Sequence, residues 1–252
     1  MDIIKQYGAV AILDALGASS YSDAEVKQFL RSRERVFSKL GEYLEDKTAI
    51  TLDQLKTFTF NDTIVIALLC GQTPPTLKAV GSFSAVLRKF LVDSMANGLL
   101  FRGAAALGQF RADDETNTIM GEAVTDAAQW YEETDWIGVH FTPRSFLEIE
   151  RLMLNADDRK EWALFPYDVP LKNGSTLNTF AINWPKVFLV GSQRPWSGNP
   201  PPKQKLLELL SGHRVPRGTE QKYFSTLAFF DRSMKLNRPS NKKKTSKKAT
   251  KK

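Results

Sequence analysis

YGAVAILDAL at residues 7–16 and TFTFNDTIVIALLC at residues 57–70 are the two stretches whose reading decides the fold. The first is a short buried strand that ends on an acid, Asp14. The second holds two apolar strands, 56–60 and 64–70, around the turn signal Asn61-Asp62-Thr63, and reads as a hairpin. Between them, Ser22 and Glu25 have the spacing of a capping box. Apolar residues from Val26 to Leu44 then recur at helical period and predict one long amphipathic helix. Beyond the hairpin, Pro74-Pro75 opens a second helix, and Gly98 ends it as a glycine just past a helix terminus does. A small-residue strand follows at 99–109. Strand, helix, strand, strand, helix, strand is the βαββαβ order of a ferredoxin-like α+β antiparallel sheet.

Further elements extend this core. Residues 117–120 read as a short strand, and Gly121 opens a helix running to about 133. A strand is expected at 136–141 and a helix at 143–154. A strand pair is expected around 172–184 with Asn173-Gly-Ser-Thr176 as its turn, and 192–201 reads as a loop. Helices at 206–210 and 223–234 are expected on the outside. No internal repeat is present. The boundaries expected are a main domain over 1–190, a C-terminal helical extension over 191–237 packed on it, and a disordered tail over 238–252.

Composition narrows the function classes. The chain has 252 residues, 42% hydrophobic and 25% charged, which excludes a fully disordered chain, a collagen or a disulfide scaffold. The single cysteine, Cys70, lies in an apolar run and is expected to be a reduced core thiol. No stretch reaches the roughly 18 apolar residues of a membrane span. The opening MDIIKQYG has no signal-peptide character, so a soluble cytoplasmic protein is the expectation. The formal charge of +7 is misleading: seven of the 35 Lys and Arg lie in the last twelve residues, and the remaining 28 match the 28 Asp and Glu. The body is neutral. The tail is a solvated terminus with loose polyanion affinity, or a contact to nucleic acid or an anionic membrane. Without a basic-aromatic platform, no specific nucleic-acid partner is expected.

The chemistry concentrates on Asp14 and Asp62. In a βαββαβ sheet the first strand lies beside a strand of the hairpin, so the two acids can meet in space. Unpaired they would repel, and a pair of Mg²⁺ ions relieves this while holding phosphate oxygens. Ala15, Leu16, Gly17 and Ala18, followed by Ser19 and Ser20, leave the strand as a small-residue loop whose N–H groups suit a triphosphate. The plainer alternative is that Asp14 caps a turn and Asp62 is a turn residue. His140 and His213 lack metal-ligand spacing.

Five motifs then carry a family resemblance. ILDALGAS, FNDTIVIA, LLFRGAAALG, MGEAVTDAAQWYE and VPLKNGSTLNTFAIN occur in the order in which class III nucleotide cyclases carry their metal-binding strand, metal-binding hairpin, following strand, helix and late hairpin. The chain resembles that family over about residues 5–185, and most of all the bacterial Pycsar pyrimidine cyclases of antiphage defence. The resemblance implies that Asp14, Asp62 and the backbone carbonyl of Ala15 bind two Mg²⁺ or Mn²⁺ ions. It places Lys172 at the phosphate-binding lysine, Phe58 and Thr118 at the base-selecting positions, and Thr125 and Gln129 at the transition-state positions.

The sequence also departs from the family. Phe58 and Thr118 do not form an adenine-selecting charged pair. Gln129 carries no charge, so Lys172 or Arg102 is expected to take over its load. A solvated turn lysine at Lys172 and an ordinary core residue at Phe58 stay open. The implied activity is conversion of UTP to 3′,5′-cyclic UMP plus pyrophosphate, the product activating a cyclic-nucleotide-sensing effector. The alternatives are CTP, a purine triphosphate, or a nucleotide-binding module without turnover. The implied assembly is a homodimer with shared active sites, one subunit giving Asp14 and Asp62 and the other Phe58, Thr118, Thr125, Gln129 and Lys172.

Overall fold

The computed structural model describes residues 5–18, 21–44, 49–113, 115–154, 163–189, 202–213, 215 and 217–236. The expected loop at 192–201, Ser19 and Ser20 of the small-residue loop, and the lysine-rich tail at 238–252 lie outside the described residues. The core is β1 (Gln6–Ala15), α1 (Asp23–Phe37), a short α2 (Leu40–Tyr43), β2 (Leu55–Phe60), β3 (Thr63–Leu69), α3 (Leu77–Ala96) and β4 (Phe101–Asp113). Its four strands lie in the order β2-β3-β1-β4, and every neighbouring pair is antiparallel. This is the βαββαβ arrangement, and the fold is α+β.

The remaining elements are β5 (Thr118–Gly121), α4 (Glu122–Trp130), β6 (Gly138–Phe141), α5 (Pro143–Met153), β7 (Leu164–Pro170), β8 (Thr176–Ile182), α6 (Pro202–Ser211) and α7 (Glu220–Leu236). They continue the sheet as β4-β6-β8-β7, with β5 paired only to β4. The β4–β6 pair is parallel, so the complete sheet is mixed.

β1 is central because it is apolar on both faces. Ala9, Ala11 and Leu13 enter the larger core with α1, α3, α5 and α7, whereas Val10 and Ile12 enter a smaller core under α4. Side chains alternate across a strand, so Asp14 belongs to the α4 face, in line with Val10 and Ile12. The β4–β5 hairpin folds over the same face. Ala112 and Ile119 pack there beside Phe58, and the Asn117 side chain donates to the Thr59 carbonyl at 3.2 Å.

Local chemistry explains the helix starts. Ser22 and Glu25 form both halves of the capping box, and the Thr76 hydroxyl accepts from the Ala79 N–H at 3.2 Å. Two expectations need correction. The long helix over 26–44 breaks at Ser38-Lys39 into α1 and α2. The strand pair does not begin at 172: β7 lies earlier, at Leu164–Pro170, and tolerates Pro166 and Pro170 because it is an edge strand. α7 keeps one face in solvent and buries the other. On the buried face Phe229 and Phe230 pack against Trp136, Trp184, Phe165 and Phe188. Burying each such ring is worth about 2 kcal/mol, so the inner face of α7 is part of the core. No described helix is long and apolar enough to cross a membrane.

Candidate active site

Asp14 and Arg102 are directly paired residues of the antiparallel β1–β4 ladder. The Arg102 Nε and Nη2 both donate to Asp14 Oδ2, at 3.0 and 2.8 Å, and Nη1 donates to the Glu132 carbonyl at 3.3 Å. The side chains are only 13% and 14% exposed, so this ion pair is shielded from solvent.

Asp62 arrives from the other side. Asn61 adopts a left-handed φ of 51° in the two-residue turn between β2 and β3, a conformation asparagine tolerates well. This places the Asp62 carbonyl to accept from the Ala15 N–H at 3.2 Å, tying the hairpin to the end of β1. The turn that follows Ala15 needs a left-handed residue, and Gly17 supplies it with φ 84°.

These elements enclose a cavity of about 580 Å³, within the range of small-molecule sites. Asp14, Ala15, Leu16, Gly17, Ala18 and Asp62 all line it. So does Arg102. Tyr131, Glu132, Lys222 and Tyr223 also line it and carried no sequence signal for this role. Burial raises the Asp14 carboxyl above its ordinary value; Arg102 opposes this, while the charges of Asp62 and Glu132 add to it. The Tyr131 hydroxyl donates to Glu132 Oε1 at 2.7 Å, and burial with that bond pushes its pKa up to about 12.

The other expected site residues lie outside this cavity. Phe58 is 3% exposed beneath α4 and the β4–β5 hairpin. The Thr118 hydroxyl, at the start of β5, donates to the Thr116 carbonyl at 3.2 Å. Thr125 and Gln129, one turn apart, are exposed on α4, and the Thr125 hydroxyl donates to the Gly121 carbonyl at 3.1 Å. Lys172 is exposed in the β7–β8 turn, where its N–H donates to the Glu133 carbonyl at 2.9 Å.

As for metal, no group of three or more His, Cys, Asp or Glu able to hold an ion occurs among the described residues. The expected donor set at the cavity is the carboxylates of Asp14 and Asp62 and the Ala15 carbonyl, with Glu132 also in the lining. It fits Mg²⁺, which takes one or two carboxylates and completes its shell with water and phosphate oxygens. His140 is no ligand: it is fully buried, and its Nδ1–H donates to the Gly103 carbonyl at 3.0 Å. Cys70 is a half-buried free thiol whose pKa burial raises.

No family model matches the sequence, and no curated protein matches it. Among solved structures, the crystal structure of the adenylyl cyclase CyaB from P. aeruginosa is similar at 13% identity, over 77% of this chain and 98% of that one, with a TM-score of 0.45.

Proposed function

We propose that the chain is a nucleotide cyclase that converts a pyrimidine nucleoside triphosphate, UTP first, to its 3′,5′-cyclic monophosphate and pyrophosphate. One observation carries the reading: Asp14 and Asp62, 48 positions apart in the chain, line one cavity together with Arg102. The motif order that resembles class III cyclases supports the choice of reaction, and the resemblance to Pycsar enzymes the choice of base.

In this reaction the ribose 3′-oxygen forms a bond to the α-phosphorus. The bond from that phosphorus to the β-bridging oxygen breaks, pyrophosphate leaves with the electron pair, and the hydroxyl proton passes to water. Asp14, Asp62 and the Ala15 carbonyl are the groups that would hold two divalent cations, Mg²⁺ or Mn²⁺, whose contribution when bound is to polarise the reacting oxygens and neutralise triphosphate charge. Arg102 supplies fixed positive charge beside Asp14. The loop from Leu16 to Ala18 lines the same cavity and is assigned to the phosphates, although the Leu16 N–H is committed to the Leu100 carbonyl at 2.8 Å.

Phe58, Thr118, Thr125, Gln129 and Lys172 lie outside the cavity of a single chain. Phe58 is 3% exposed in the smaller core and is the ordinary core residue that the sequence left open, not a base contact. The others suit a homodimer in which a second copy brings Thr118 to the base and Lys172 to the phosphates. The cyclic product is then a messenger for a separate effector in antiphage defence. A second reading, a nucleotide-binding module without turnover, draws on one observation: Asp14 is already neutralised by Arg102.

The deciding experiment incubates the purified chain separately with UTP, CTP, ATP and GTP in Mn²⁺ and in Mg²⁺, and identifies products by mass. Cyclic UMP with stoichiometric pyrophosphate is expected. Binding without product from any triphosphate selects the second reading, and a cyclic purine product overturns the base assignment.

A further inference from the structure

Besides Tyr131 and Glu132 just after α4, the start of α7 supplies part of the cavity that the βαββαβ core does not. The inward stripe of α7 runs Lys222, Tyr223, Thr226, Phe229, Phe230 and Ser233, at helical spacing. From Thr226 to Ser233 the members of this stripe are buried. The start of the helix is different: Lys222 and Tyr223, with Thr219 just before it, line the cavity that holds Asp14, Asp62 and Arg102. A lysine and a tyrosine thus occupy core-facing positions at the one place where the stripe meets a polar cavity.

Lys222 is held in place. Its side chain is 13% exposed, and its ammonium lies 3.3 Å from Asp135 Oδ1. One turn on, the Thr226 hydroxyl donates to the Lys222 carbonyl at 2.6 Å and accepts from the Ile137 N–H at 2.8 Å. These bonds fix the first turn of α7 against residues 135–137. The cavity is therefore lined by two cations, Arg102 from β4 and Lys222 from α7, and by three acids, Asp14, Asp62 and Glu132. A lining that mixes fixed cations with acids suits a ligand that is itself a polyanion bridged by cations, and a triphosphate chain is such a ligand.

Building on the cyclase reading, we infer that Lys222 is a substrate-binding residue for the β- and γ-phosphates, supplied by the C-terminal helix of the same chain. Asp135 orients its ammonium and is the group from which Lys222 turns toward the phosphates.

The test measures binding of inorganic tripolyphosphate in Mg²⁺ by calorimetry to the full chain and to three variants. Lys222→Met is expected to weaken binding about tenfold or more, the worth of one charge-assisted contact. Lys222→Arg restores it to within about threefold. Asp135→Asn keeps an acceptor for Lys222 but removes the competing charge, so its affinity is unchanged or tighter. A lysine that serves only to dock α7 gives a different pattern: Asp135→Asn then loses binding as much as Lys222→Met does. That result, unaltered binding in Lys222→Met, or no binding by the parent chain overturns the inference. The outcome is separable from the cyclase reading. Lys222-dependent tripolyphosphate binding without turnover of any nucleotide ends that reading and leaves the phosphate contact standing. Turnover with KM and tripolyphosphate affinity unchanged in Lys222→Met does the reverse.

Discussion

Arg102 donates two hydrogen bonds to the single oxygen Oδ2 of Asp14 across the β1–β4 ladder, and neither side chain is more than 14% exposed. The cation is thus held by an acid of the cavity lining that would otherwise be uncompensated. Removing one partner leaves the other shielded from water and unpaired, a larger effect than losing a surface ion pair.

Arg102→Met is therefore expected to destabilise the chain by about 2 kcal/mol. Adding Asp14→Asn to it recovers part of the loss, because the orphaned charge is gone. Urea unfolding of the two single variants and the double variant measures the coupling directly. Additive losses would show that the pair contributes nothing through its contact.

Asp62→Ala is expected to lower cyclisation by several tenfold steps, each about 1.4 kcal/mol of barrier, with stability changed by less than about 1 kcal/mol. The residue is half-buried in a turn, and its tie to Ala15 runs through the backbone carbonyl, which alanine keeps. Rates of nucleotide consumption and thermal unfolding of the same preparations check both halves.

His140 gives a pH signature. Burial lowers its pKa to about 4 from an ordinary 6.5, so the folded chain keeps it neutral where the unfolded chain protonates it. The contribution to stability is intact above pH 6.5 and is lost as pH falls through the interval down to about 4, by about 3 kcal/mol at the lower end. His140→Gln keeps a donor for the Gly103 carbonyl and has no proton to gain. Chemical unfolding at several pH values should show the parent losing stability faster than the variant on acidification, and equal slopes would remove His140 from the acid response.

Gly103 lies beside Arg102 on β4, and a Cβ there would stand 2.4 Å from the Ile12 carbonyl oxygen. The obstacle is backbone in the β1–β4 ladder, which cannot swing aside. Gly103→Ala is expected to cost about 2 kcal/mol and to shift the Arg102–Asp14 contact. Thermal unfolding together with cyclase rate tests this, and an unchanged melting temperature would contradict the fit of these strands.

Much of this architecture was legible in local sequence. The capping box at Ser22 and Glu25 forms with both of its bonds, and the hairpin around Asn61-Asp62 closes where its turn chemistry placed it. The approach of Asp62 to the end of β1 followed from topology, since a βαββαβ sheet seats β1 between β3 and β4. What escaped was non-local. Leu164–Pro170 carries two prolines that argue against a strand until its place at the sheet edge is known. Ser38-Lys39 interrupts an apolar periodicity that otherwise continues, without a proline or glycine to mark the break. Lys222 and Tyr223 follow Asp14 by more than 200 positions, and nothing in the sequence around α7 says which face meets the cavity. The aromatic stripe of α7 was visible as apolar, but its partners Trp136, Trp184 and Phe165 come from three other parts of the chain.

The most direct test of the paired-acid site is an anomalous difference map from crystals of the chain soaked with UTP and Mn²⁺. Peaks about 2.1 Å from carboxylate oxygens of both Asp14 and Asp62, the distance of a small divalent ion bound by oxygen, are expected, with the triphosphate reaching the same peaks. Ordered nucleotide in the cavity with no anomalous density at either carboxylate would contradict the claim that these two acids serve the reaction by holding metal.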